Sequence, residues 1–348
     1  MQKDPIKPFL EEKANEILKK IDEIDERSKK IKDEDTLKDT QLQGLSYNHY
    51  LKGIKQYLDD NLEGAINELR NASEIKSLDK DYPFIIAGAY FDYGISYKIE
   101  SSLEKSVEWF EKAAKLEPDD DTVSFKLGAA LQFLAESKKD EILYLQAFKW
   151  LKKTVEINPV YLYAYKMWKL GLIVLIKMTG NEKYYEDLFM VFEEIIKLEP
   201  GLVDEYLEWG DAINSLALVR KDAELHKESI SKSKAASIID PDNKMIYYNL
   251  GVSLGNIAKL NKDDSYTAQC IEMFKKYVDL GGDIYDLSCM YANFERKEDA
   301  FKCLKKKLEK DSSVMEKVIK SKFWEQYLND EEFKKMVAKF DDGLSKLN

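Results

Sequence analysis

Four prolines recur at a fixed interval of 41 residues, Pro118, Pro159, Pro200 and Pro241, and each closes a similar string: KLEP, EINP, KLEP and IIDP. A period of this size means that one supersecondary unit is used again and again, stacked so that neighbours bury each other's apolar faces. Proline disfavours helical geometry in the residue before it, so each of the four stops a helix. Asp119–Asp121, Asp204 and Asp242–Asn243 follow these stops and are expected to cap the next helix. Upstream of the prolines, Gly94, Gly128, Gly171, Gly210 and Gly251 each sit inside an apolar helical pattern. A glycine inside a helix costs roughly 1 kcal/mol relative to alanine, so its recurrence implies two helices that approach too closely for a side chain. The prior of two domains for 348 residues gives way to a repeat array.

Composition narrows the function. The formal net charge is −11, which repels phosphate backbones unless a basic face is segregated, so nucleic acid is not an expected partner. Three cysteines and two histidines give neither a disulfide framework nor a metal-ligand spacing, and no cofactor is expected. The N-terminal MQKDPIKPFLEEK lacks the apolar core of a signal peptide, and no apolar run is long enough for a membrane span. A reducing, cytoplasmic setting is the expectation.

The second repeat carries Tyr90, Tyr93, Gly94, Tyr97, Ser106, Phe110, Ala113 and Pro118 without a gap. The pattern recurs with substitutions as Gly128, Ala147, Leu151, Thr154 and Pro159, as Gly171, Leu188, Phe192, Ile195 and Pro200, and as Gly210, Ser229, Ser233, Ala236 and Pro241. In this pattern the chain resembles the tetratricopeptide repeat proteins, whose unit is an antiparallel pair of helices of roughly 34 residues. The resemblance covers about residues 46–311 and implies an all-α, right-handed α-solenoid of about seven helical hairpins. Seven extra residues in most repeats add close to one turn of about 3.6 residues to the two helices of each pair, half at either side of a charged tip.

The array is expected to have ends of its own. Residues 1–45 carry Leu10, Ala14, Ile17, Ile21, Ile24, Ser28 and Ile31 in a 4-3 spacing, the seam of an amphipathic helix. That helix can cap the solenoid, join a second copy into a homo-oligomer, or lie in the solenoid's own concave groove. Residues 312–348, rich in Phe323, Trp324, Tyr327 and Phe333, read as C-terminal capping helices. The lysines from Lys302 to Lys310 read as a solvated helix face.

No catalytic constellation emerges, and the chain is not expected to be an enzyme. His226 falls in the charged tip Lys221–Glu228, and Cys270 occupies a small-residue core position. No phosphate-cradling or nucleophile-elbow string occurs. The resemblance implies instead a concave face lined by the first helix of each pair. The residues three places before each reference Gly or Ser are Tyr50, Phe91, Phe125, Trp168, Leu207, Tyr248 and Tyr285, six of them aromatic. One place after those references stand Ile95 and Leu172, apolar as well. Solvated aromatic patches of this extent mark recognition surfaces, so these nine residues are the candidate partner-binding site and Phe125 with Trp168 its expected centre. The expected partner is another protein or peptide, and the expected role a scaffold or adaptor. Capture of a small apolar ligand or lipid is the alternative; single-stranded RNA is disfavoured because only Lys126 and Lys169 stand beside the aromatics. The Lys and Asn set with which family members clamp a chaperone's C-terminal carboxylate is not met.

Overall fold

The computed structural model describes residues 6–75 and 80–340, and every regular element among them is helical. The chain divides into two compact units, Met1–Tyr184 and Tyr185–Asn348. The first holds α1 (Ile6–Ser28) and the helical pairs α2 (Glu34–Leu58) with α3 (Leu62–Ile75), α4 (Tyr82–Tyr97) with α5 (Glu100–Leu116), and α6 (Asp121–Lys138) with α7 (Glu141–Ile157), and closes with α8 (Leu162–Thr179). The second opens with α9 (Tyr184–Leu198), which starts at the boundary residue. It continues with α10 (Val203–Arg220) and α11 (Ala223–Ile239), α12 (Lys244–Asn261) and α13 (Asp264–Asp279), and α14 (Ile284–Asn293) and α15 (Lys297–Lys310). The short helices α16 (Met315–Lys320) and α17 (Glu331–Val337) follow. Each unit is a succession of helical hairpins, the all-α architecture expected from the repeats. The first helix of each pair is called A below, the second B.

Close packing within a pair rests on the glycines. A Cβ placed at Gly94 would stand 2.8 Å from Leu103 Cδ2, and one at Gly128 would stand 2.9 Å from Leu151 Cγ. Real Cβ atoms do not approach so closely, so an A helix with alanine there would have to move off its B helix.

The tips are shorter and more regular than their charged sequence suggested. A left-handed residue ends five of the A helices, α4, α6, α8, α10 and α12, at Lys98, Lys139, Gly180, Lys221 and Lys262, again 41 apart, with φ between 52° and 65°. At three tips the next residue is an aspartate that caps the B helix: Asp140, Asp222 and Asp263 accept from the backbone N–H of Ile142, Glu224 and Ser265. At the other end of the pairs, Asp120 and Asn243 cap their helices as expected. Asp204 does not, since α10 already begins at Val203 with Leu202 at its cap position.

The expected boundary at residue 46 falls inside α2, which starts at Glu34, capped by Asp33. The N-terminal seam ends with α1 at Ser28, leaving Ile31 in the turn. Leu10, Ala14, Ile17 and Ile24 of α1 are buried. A Cβ at Gly44 of α2 would lie 3.3 Å from Ile24, while at the other end of α1 Phe9 meets Phe84 of α4. Lys13 is ion-paired with Asp81 just before α4. The helix thus runs antiparallel to α2 along the A-helix side of the first two pairs, and α4 is buried from Tyr82 through Ala89. The apolar seam is spent within the chain.

In the second unit Trp324 is fully buried, stacked on Phe333 at 5.7 Å and on Phe301 of α15 at 6.3 Å. The aromatic segment after α15 therefore closes the core of the last pair; residues 341–348 lie outside the described residues. No helix among the described residues is long and apolar enough to cross a membrane.

Candidate partner-binding face

In the first unit the aromatic stripe of the A helices is present but largely consumed by packing. Tyr50 has no exposed surface and meets Tyr82 edge-on at 5.2 Å. Phe91 is buried against Phe133 of α6, 5.4 Å away and nearly perpendicular. Trp168 is only 5% exposed and lies beside Phe148, and Leu172 is sealed. Half-buried Phe125 leans on Tyr161 at 5.1 Å. Ile95 is the one of these that is open to solvent, at 38%.

The expectation of an exposed stripe is thereby corrected. Its side chains point along the stack, so Tyr50, Phe91 and Phe125 each find a ring from the next pair. Such ring pairs are worth about 0.5–1.5 kcal/mol beyond area burial, which favours packing over waiting for a partner. Lys169 is also buried, so it offers nothing to a phosphate.

In the second unit Leu207 and Tyr285 are buried, and Tyr248 is half-buried against Phe274 and Tyr277 at 5.5 and 5.4 Å. Here α12, α14 and the segment from α16 to Phe323 enclose a cleft of about 630 Å³. Tyr248, Tyr285 and Cys289 border it, with Val252 and Met290. Lys317 stands over the Tyr285 ring at 4.7 Å. Within the cleft, desolvation pushes the Asp286 carboxyl up from the usual carboxylate range, opposed by a hydrogen bond from the Tyr277 hydroxyl at 3.0 Å and by Lys317. On α10, desolvation pushes Asp211 up to about 6 against a hydrogen bond from Asn249, and the Glu208 charge adds to the rise.

Sequence reasoning placed His226 in a charged tip; the structure buries it, 2% exposed, inside a polar network. Its Nδ1 lies 2.7 Å from Asn214 Oδ1, to which Asn256 donates from 3.2 Å. Ser229 and Ser253 pair at 3.0 Å beside it. Desolvation lowers the His226 pKa, with the Asp222 charge opposing. The sequence held a partial signal: Ser233 stands where other repeats carry Phe110, Leu151, Phe192 and Phe274, so this repeat lacks the large apolar group that fills its neighbours.

His49 stands half-buried, its Nδ1 2.6 Å from Glu68 Oε2 on α3. Burial pushes the Cys270 thiol up to about 12 and raises Cys289 as well, which suppresses the thiolate a nucleophile requires. Among the described residues no group of three or more His, Cys, Asp or Glu is placed to hold a metal ion.

Several solved structures are similar in helical arrangement. A MamA protein is 17% identical, with 56% of this chain and 94% of that one covered at a TM-score of 0.37. YrrB, described as a TPR protein with an unusual peptide-binding site, is 16% identical over 56% of this chain and 86% of its own, at a TM-score of 0.39. Residues 41 to the end of MamA from Desulfovibrio magneticus RS-1 are 18% identical over 59% and 97%, at 0.38. No family model and no curated protein matches the chain.

Proposed function

We propose that this chain is a non-catalytic interaction scaffold that holds a segment of a partner protein against the A-helix faces of its hairpins. One observation carries the reading. The A-helix side of the first two pairs already has an amphipathic helix laid on it, α1, seated by Phe9 on Phe84 and by the Lys13–Asp81 ion pair. A surface that accepts an apolar seam bordered by charges has the chemistry of helix-in-groove recognition.

The nine candidate residues divide by what they have to offer. Ile95, Phe125 and Tyr248 keep accessible surface and would touch a partner. Tyr50, Phe91, Trp168, Leu172, Leu207 and Tyr285 would act beneath it, setting the shape and stiffness of the face.

A photo-cross-linking amino acid at Ile95, at Phe125 or, on a B-helix, at Leu116 tests this in the cell of origin. Leu116 is 55% exposed and serves as the control. Discrete adducts to another protein from Ile95 or Phe125 and none from Leu116 are expected. Adducts from Leu116 alone, or equally from all three sites, would overturn the reading.

A further inference from the structure

The cleft of the second unit has a lining that specifies its occupant more closely than the scaffold reading, on which this inference rests. Along α12, Tyr248, Val252, Asn256 and Lys259 line one side, spaced four, four and three residues apart and therefore on one helix face. Along α14 the sequence Asp286, Met290 and Asn293 does the same. The walls thus carry Tyr248 beside Asp286 and Lys317 at one end, Val252 and Met290 in the middle, then two amide side chains, and Lys259 at the other end. Asn256 donates its Nδ2 to Asn214 and so keeps its own carbonyl oxygen for a ligand.

The borders of the cleft are locally basic. In a chain of net charge −11, three lysines, Lys259, Lys317 and Lys320, border the cleft against one carboxylate, Asp286. Asp286 is already engaged by the Tyr277 hydroxyl. Lys320 is paired with Glu316 one turn earlier in α16, and Lys317 caps the Tyr285 ring. Lys259 is exposed. A volume of about 630 Å³ lies within the range of sites that enclose a ligand of a few residues' size.

We infer that this cleft binds a short acidic peptide segment, in which one aromatic or long aliphatic side chain enters between Tyr248, Val252 and Met290 and flanking carboxylates meet the bordering lysines. The two asparagines meet main-chain amides, which any sequence presents. Specificity comes from the anchor and the flanking charge, and like-charge juxtaposition rejects basic segments.

The test uses the full chain and a fluorescein-labelled, terminally blocked peptide of sequence Asp-Glu-Phe-Glu-Asp, read by fluorescence anisotropy at low and at moderate salt. Saturable binding is expected, weakened by added salt and at least tenfold weaker for the charge-reversed peptide Lys-Arg-Phe-Arg-Lys. Lys259→Glu, an exposed position unconnected with the core, should weaken the acidic peptide severalfold. Met290→Trp, which fills the middle of the cleft, should abolish binding while the circular dichroism melt is kept. Equal binding of the two peptides, or binding indifferent to both variants, overturns the inference. So does displacement of the peptide by decanoate at equal or lower concentration, which would assign the cleft to an alkyl carboxylate. Failure here with cross-links at Ile95 or Phe125 intact would remove only the cleft; peptide binding without those cross-links would remove only the wider scaffold reading.

Discussion

Phe9 of α1 stands edge-on to Phe84 of α4, ring centroids 6.1 Å apart and planes at 89°. Through this contact the N-terminal helix reaches past α2, the helix that follows it in sequence, and binds the next pair. Phe9→Ala should cost about 1–2 kcal/mol of docking energy, combining the ring pair with lost apolar area. Hydrogen exchange is the measurement. Amides of α1 should exchange faster by roughly a factor of ten while those of α6 and α7 do not change; uniform acceleration would show that α1 does not open on its own.

The left-handed lysines are a second handle. At Lys139, φ is 52°, a conformation that costs a residue with a Cβ about 1 kcal/mol and glycine almost nothing. Lys139→Gly should therefore raise the melting temperature slightly, the gain reduced by glycine's larger entropy when unfolded. At the equivalent Gly180, φ 65°, substitution by alanine should do the reverse. Opposite signs at the two tips are the expected outcome, and equal signs would refute it.

Gly128→Ala introduces a methyl group 2.9 Å from Leu151. Overpacking of this kind costs about 1–3 kcal/mol. A urea unfolding midpoint unchanged from the parent would mean that α6 and α7 can separate without penalty.

The burial of Trp168 reverses the expectation drawn from its place in the stripe. Trp168→Ala should destabilise by about 3–5 kcal/mol, the range for truncation of a buried aromatic, whereas half-buried Phe125→Ala should cost visibly less. Melting curves of the two variants, side by side, decide it.

His226 makes the second unit acid-sensitive. Its folded pKa lies below the ordinary 6.5, so the unfolded chain binds a proton more readily than the folded one. Its contribution is full above pH 6.5 and is lost as the pH falls through that value toward the depressed folded pKa. The difference in urea stability between pH 7.5 and pH 5.5 should shrink in His226→Gln, and an unchanged difference would rule the histidine out as the cause.

Much of the fold was legible because it depends on backbone rules that act locally. Pro118, Pro159, Pro200 and Pro241 stop helices whatever surrounds them, and Gly94 or Gly128 excludes a side chain at one contact. The tips were less legible. Lys139 and Lys221 look like solvated charge, and nothing in lysine's chemistry announces a left-handed backbone; only their shared interval with Gly180 does so. The candidate site was the least legible. Repeat position told which helix carries Tyr50, Phe91 and Trp168, but not that Tyr82, Phe133 and Phe148 supply rings to meet them. Exposure depends on such third parties, and their spacing from the stripe, unlike that of the prolines, follows no period. The covering of α4 by α1 was one of three arrangements that an apolar 4-3 seam allows, and the seam carries no address.

The recurrence of one left-handed residue and one proline every 41 residues has a genetic consequence. Between residues 98 and 262, a segment of that length cut at equivalent positions has ends that match each other, in backbone geometry as well as in sequence register. Excision of residues 119–159 would remove α6 and α7 whole and bring Pro118 to the entry of α8, the junction that Pro159 now makes. Unequal recombination between neighbouring repeats can therefore shorten or lengthen this protein in steps of one hairpin while keeping the backbone junction, the side-chain contacts across the new interface being the part that must readjust. Its length is a counted quantity, and selection can adjust it one integer at a time.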